Sequence, residues 1–357
     1  MLPRLMSRTQ VLTGLAVTGL GLAGGLLARM LGLPLPFVLG PLVATSLLAI
    51  LRADLLPTGF RYPDAWRAAA IAVIGVTIGA RVTWEVLAAL PQAAFSFAAL
   101  TLFVPLVQVM NYQIFTRIGK YDRVTAFFAA APGGLIEAMV MGEAAGADAR
   151  LLTVQQFMRI ICVLTLLPVG LSLWYGAPIG SGAGISLARA DAGITHLPEV
   201  ALLGLLGLGL GHVLRLPAGQ LLGPMLLGGA ANLSGLAVVE IPQWLISMAQ
   251  LIIGASLGLR FAGVNFAMLL RAVGLGVLSV AGMLLIGGGL ALAIAPLAGE
   301  HFDVLLISFA PGGVTEMALV ALSLNANPAF VTIHHLYRII LTVVMLVWAA
   351  RRWQPRA

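Results

Sequence analysis

Charge is what this chain has least of. Only 9% of its 357 residues are Asp, Glu, Lys or Arg, against about 25% in a soluble domain. A water-facing surface needs charge, so a soluble fold is excluded. Cysteine is nearly absent too. Cys162 stands alone inside an apolar run, which removes disulfides and thiolate metal sites. No G-x-x-x-x-G-K-[ST] segment occurs, so no phosphate-binding loop couples the chain to ATP. H-E-x-x-H, His–Cys and facial-triad spacings are missing as well, and so is a dinucleotide-binding unit, which leaves no metal or flavin chemistry to expect. The 20 basic residues outnumber the 13 acidic ones, yet they are scattered and form no contiguous stripe for a nucleic acid.

Apolar sequence fills the gap. Hydrophobic residues make up 60% of the chain. The runs 9–28, 30–51, 86–116, 160–188, 216–239, 241–259, 272–299 and 317–337 carry no charge. Each is about as long as the ~20 residues that cross a ~30 Å hydrocarbon core. The fold class is therefore an all-α polytopic membrane protein. Arg4 and Arg8 precede the first run as in a secretory leader. That run continues and many more follow, so it is read as a retained span.

The chain is also written twice. Residues 131–161 read APGGLIEAMVMGEAAGADARLLTVQQFMRII, and 310–340 read APGGVTEMALVALSLNANPAFVTIHHLYRII. At an offset of 179, ten of these 31 positions are identical without a gap. The same offset aligns Gly75, Gly79 and Arg81 with Gly254, Gly258 and Arg260. Upstream it becomes 183, matching Pro34 with Pro217 and Gly40-Pro41 with Gly223-Pro224. The expected organisation is a first membrane repeat over 1–178, a Gly/Ala/Ser-rich linker over 179–198 and a second repeat over 199–357. Gly75-xxx-Gly79 and Gly254-xxx-Gly258 put small residues on one helix face, a packing pattern. The doubled Leu-Gly-Pro at 39–41 and 222–224 reads as scaffold.

The doubled block, APGG-x-x-E followed by T-x-x-x-x-x-R-I-I, resembles the AbrB family of bacterial membrane proteins. The resemblance covers nearly the whole chain and implies a duplicated membrane domain. It brings three family labels, namely ammonia monooxygenase, regulator of gene expression and transporter, and does not choose among them.

Loop charge predicts orientation, because cytoplasmic loops carry an excess of Lys and Arg. First-half basic clusters lie at Arg4/Arg8, Arg52/Arg61/Arg67 and Arg117/Lys120/Arg123. The second-half counterparts of the last two, near 238–243 and 296–303, are acidic and hold no Lys or Arg. Conversely, Arg260 and Arg271 lie close together and the chain ends in Arg351, Arg352 and Arg356, where the first half has little. The bias flips, so the halves are expected to be inverted. Inversion needs an odd number of crossings per half. Each half offers six apolar segments, so one in each should be a re-entrant hairpin, best placed at Pro-Gly-Gly. About ten spans plus two hairpins then leave three basic residues outside (Arg29, Arg81, Arg189) and both termini cytoplasmic, in a bacterial inner membrane. Twelve spans with two broken helices is the alternative.

The candidate site follows from the same duplication. Pro132-Gly133-Gly134 and Pro311-Gly312-Gly313 should each break a helix and expose amides at a new helix start. Paired breaks in inverted halves point to a transporter site. Glu137, Thr315 and Glu316 lie in the first turn after a break, where the carboxylates could cap the helix or carry a coupling ion, H⁺ or Na⁺. Arg159 and Arg338 fall deep in the next spans and need a carboxylate or an anionic ligand. Thr153, Gln156 and Arg159 recur every three residues, as do Thr332, His335 and Arg338, so each trio shares a face. Ion pairs Arg159–Glu137 and Arg338–Glu316 are the structural alternative. Adjacent His334 and His335 point about 100° apart, which disfavours a metal site.

These features together predict a non-enzymatic secondary transporter for a small anionic or zwitterionic solute, one bearing a carboxylate, with no cofactor beyond the coupling ion. Membrane lipid is the expected surrounding, nucleic acid is not a partner, and a homodimer is compatible with the pattern. A membrane-bound regulator is the alternative function, and a monooxygenase rests on the family label alone.

Overall fold

The computed structural model describes residues 8–33, 35–84, 93–176, 194–216, 218–236, 239–262, 264, 266–324 and 326–350. Arg4, Pro34, Arg189, Pro217, Val238, linker residues 179–193 and the terminal Arg351, Arg352 and Arg356 lie outside them. Among the described residues all regular structure is helical. The α-helices are α1 (Arg8–Met30), α2 (Pro36–Leu51), α3 (Asp64–Gly79), α4 (Ala94–Gln113), α5 (Arg123–Ala129), α6 (Leu135–Ala144) and α7 (Ala149–Tyr175). They continue as α8 (Leu197–Val213), α9 (Gly219–Leu233), α10 (Gln243–Gly258), α11 (Phe266–Ala298), α12 (Phe302–Phe309), α13 (Val314–Ser323) and α14 (Pro328–Ala350). Among the described residues, six stretches are long and apolar enough to cross a membrane: Arg8–Met30, Ala94–Ile118, Ala149–Tyr175, Gln243–Phe261, Met268–Ala298 and Pro328–Ala349. Exposed leucines cover several of them, among them Leu12, Leu15, Leu102, Leu106, Leu285 and Leu292. In water that surface would be untenable, whereas lipid accepts it. The protein is a helical membrane protein.

The helices sort into two compact units, and neither unit is one sequence repeat. One comprises Met1–Thr83, Ser172–Asn265 and Leu322–Asn325; the other comprises Trp84–Leu171, Phe266–Ala321 and Ala326–Ala357. Each draws on both halves of the chain.

In the first unit, close packing rests on glycines that occur twice. A Cβ on Gly40 would meet the Gly24 backbone, joining α2 to α1. At the same offset of 183, a Cβ on Gly223 would meet the Gly207 backbone, joining α9 to α8. The Gly-xxx-Gly helices then dock crosswise. Gly75 of α3 abuts the Leu221 carbonyl of α9, and Gly254 of α10 abuts the Val38 carbonyl of α2. These approaches leave no room for a side chain, which is how small residues bring membrane helices together.

The second unit holds both Pro-Gly-Gly segments. Three of its helices start where the sequence supplies caps. Asp122 accepts from the amides of Val124 and Thr125 at 3.0 and 2.9 Å, opening α5. Asp148 accepts from Arg150 and Leu151 at 2.9 and 3.1 Å, opening α7. Asn327, 179 residues on, accepts from Ala329 and Phe330 at 3.1 and 3.2 Å, opening α14.

Candidate functional site

Each Pro-Gly-Gly separates two short helices. In the first half α5 ends, residues 130–134 break the path, and α6 begins at Leu135. In the second, Ala310 turns extended (φ −55°, ψ 138°) before Pro311, and α13 begins at Val314. That conformation is what a following proline imposes. Gly134 caps α6 in the left-handed region at φ 60°. Glycine adopts this without the penalty a Cβ would bring. At Gly313 the constraint is space, because an added Cβ would run into the Glu316 carboxylate.

A helix that stops inside a membrane leaves its last carbonyls without partners. The polar stripes of the neighbouring helices supply them. For α5, Gln108 Nε2 donates to the Phe127 carbonyl at 2.9 Å and Gln156 Nε2 to that of Phe128 at 2.9 Å. Asn111 Nδ2 donates to Ala130 at 3.3 Å, and Arg159 Nη1 donates to Ala131. For α12, His335 Nε2 donates to Ile307 at 3.0 Å and Arg338 Nη1 to Ala310, while Arg338 Nη2 reaches Gly312 at 2.6 Å. The pairs Gln156/His335 and Arg159/Arg338 thus perform the same task 179 residues apart. Hydrogen bonds from a charged donor contribute about 1.5–3 kcal/mol each. A helix C-terminus also carries roughly half a negative charge, which suits a guanidinium.

Both arginines are held by backbone carbonyls. Arg159 is 5% exposed and bonds the Ala131 carbonyl, while the Glu137 carboxylate is exposed. Arg338 is fully buried and straddles the second break through its two terminal nitrogens. The two guanidiniums lie close enough to act on each other electrostatically. Both glutamates fold back over their breaks. A Cβ on Gly134 would come 3.3 Å from Glu137 Oε2, and the Glu316 carboxylate lies against Gly313. That is where a carboxylate complements a helix N-terminus. Thr315 sits part-buried in the first turn of α13.

Arg338 brings the two breaks together. Its side chain holds the second, and its helix receives the first: a Cβ on Gly133 would lie 3.1 Å from Thr342 Oγ1, 3.4 Å from Ile339 Cα and 3.6 Å from the Arg338 carbonyl. Pro132, Gly133, Pro311 and Gly312 are all buried. Among the described residues, several polar atoms here are buried without a partner: Arg159 Nε, Arg338 Nε, Gln156 Oε1, His335 Nδ1, Gln108 Oε1 and Gln155 Nε2.

Two residues of this arrangement escape sequence inspection. Gln108 and Asn111 have no duplicate, since Gly287 and Leu290 stand 179 positions on. Their only signal was a pair of polar side chains three apart in an uncharged run. Asn111 is braced further by Ser279, whose hydroxyl donates to Asn111 Oδ1 at 2.7 Å. His334 serves elsewhere. Its ring stacks on Phe97 at 4.3 Å, Nδ1 donates to the Phe330 carbonyl at 2.8 Å, and Nε2 lies 2.7 Å from Ser96 Oγ. The adjacent imidazoles therefore engage different neighbours.

A family model described as "Transition state regulatory protein AbrB" matches residues 46–354. YhjN of Bacillus subtilis (strain 168) is 26% identical over 340 residues, covering 91% of this chain and 88% of that protein. A candidate regulator of Escherichia coli (strain K12), named AbrB, is 27% identical over 333 residues, covering 89% of each.

Proposed function

The chain belongs to the AbrB family, and from that premise and the geometry of its breaks we propose that it is a secondary transporter of a small carboxylate-bearing solute. The observation that carries this reading is the pair of buried arginines. Two positive charges lie in a low-dielectric interior, near enough to repel, and their bonds run to backbone carbonyls. Like charges so placed favour an anion strongly. The new helix starts at Leu135 and Val314 add partial positive charge nearby.

Two halves of opposite loop charge support an inverted arrangement of about ten spans and two re-entrant hairpins in a bacterial inner membrane, with cytoplasmic termini. The arms around the first break hold 7 and 10 residues, which at 1.5 Å per residue rise about 10 and 15 Å, a third to a half of a ~30 Å hydrocarbon core. Glu137 and Glu316, over the two breaks, are the coupling groups for H⁺ or Na⁺ in this reading. The test is a flux screen of organic anions in proteoliposomes with Na⁺ and pH gradients imposed separately. Saturable, gradient-driven uptake of a carboxylate is expected; cation-only or absent flux would refute it.

A regulatory reading is favoured by the names of the family model and of the Escherichia coli relative. The chain would then act on gene expression indirectly, through the level of its solute. A reporter effect that survives loss of uptake would separate regulation from transport.

A further inference from the structure

The unpartnered atoms beside the breaks are not all of one kind, and their hydrogen-bond sense is fixed by their partners. A backbone carbonyl only accepts. Gln156 must therefore turn its amide nitrogen to Phe128, which leaves Oε1, an acceptor, facing the other way. His335 likewise must place N–H on Nε2 to reach Ile307, and a neutral imidazole then carries a bare lone pair on Nδ1. The unpartnered Nε atoms of Arg159 and Arg338 are the opposite kind, obligate N–H donors. The Gln156/Arg159 and His335/Arg338 stripes thus each offer one acceptor and one charged donor, three residues apart on one helix face. Gln156 and His335 are fully buried, and so is Arg338, with Arg159 at 5% exposure.

A plain carboxylate satisfies the two donors and leaves both acceptors stranded. We propose that the transported solute carries a hydrogen-bond donor beside its carboxylate, as a small hydroxy- or amino-carboxylate does, and that Gln156 Oε1 and His335 Nδ1 accept from that group. This assignment rests on the transporter reading above and narrows it. Sites that hydrogen-bond a substrate hydroxyl or amine reject analogues lacking it far more strongly than apolar pockets reject a missing methylene. The stranded acceptors supply that rejection here, because a buried acceptor without a partner is costly.

The test compares matched solutes in proteoliposomes of the full chain: acetate, glycolate and glycine; propionate, lactate and alanine; succinate, malate and aspartate. Within a series, the hydroxyl or amino member should be taken up at least about tenfold more effectively than the plain acid. Gln156→Met and His335→Met should shrink that preference; should either fail to fold, the wild-type solute series still decides the point. Equal uptake of plain and donor-bearing members would overturn this inference and leave a carboxylate transporter standing. No uptake in any series, by protein shown to be folded, would overturn the transporter reading as well.

Discussion

Arg159 and Arg338 occupy equivalent positions, yet their loss should not cost the same. Arg338→Met removes two charge-assisted bonds, to Ala310 and Gly312, whereas Arg159→Met removes one, to Ala131. Both changes also take one buried positive charge away from the other, so each relieves the same mutual repulsion. That relief cancels in the difference between the variants. What remains is one additional hydrogen bond from a charged donor, worth about 1.5–3 kcal/mol. Arg338→Met should therefore unfold at a temperature several degrees below Arg159→Met, measured on purified protein in the same detergent. Arg338→Lys should recover only part of the loss, because an ammonium lacks the planar fork that reaches two carbonyls at once. If Arg159→Met proves as unstable as Arg338→Met, or more so, the carbonyl clamp is not what holds these side chains and the reasoning fails.

Three further outcomes follow from the same geometry. Single cysteines at Lys120 and Gly299 should label from opposite sides of the membrane, and labelling from one side would sink the inverted arrangement. Gly134→Ala should lose about 1–2 kcal/mol of stability, because a Cβ at φ 60° is strained and would sit 3.1 Å from Val343 Cγ2; an unchanged melting temperature would contradict that backbone. Glu316→Gln should keep solute exchange but lose accumulation against a gradient, since an amide cannot carry the coupling charge, and intact accumulation would remove Glu316 from that role.

Much of this was visible in the linear chain because the chain repeats itself. The two Pro-Gly-Gly breaks, the Gln156/Arg159 and His335/Arg338 stripes and the Gly-xxx-Gly packing faces all stand out as matched residues at fixed offsets. The partners of the arginines did not. A sequence shows formal charges, so Glu137 and Glu316 looked like the natural counterions; the carbonyls that Arg159 and Arg338 bind carry no letter of their own. The C-terminal dipole of a broken helix is a counterion only once the break is built. Gln108 and Asn111 were hidden for a related reason: they cap only the first break, so no duplicate marked them. Nor does an internal repeat say which segments pack together. Both compact units mix the halves; in the first, α3 seats its glycines on α9 and α10 seats its own on α2.

The central claim is that the paired breaks and their arginines bind an anion, and ligand-induced stabilisation tests it without reference to direction or coupling. A ligand that binds only the folded state raises stability with its concentration. The wild-type protein should therefore melt at rising temperature as one of the donor-bearing carboxylates is titrated in, while Arg159→Gln, folded at the starting temperature, should show no such rise. A wild-type melting temperature indifferent to every carboxylate tried, or an equal rise in Arg159→Gln, would contradict the account.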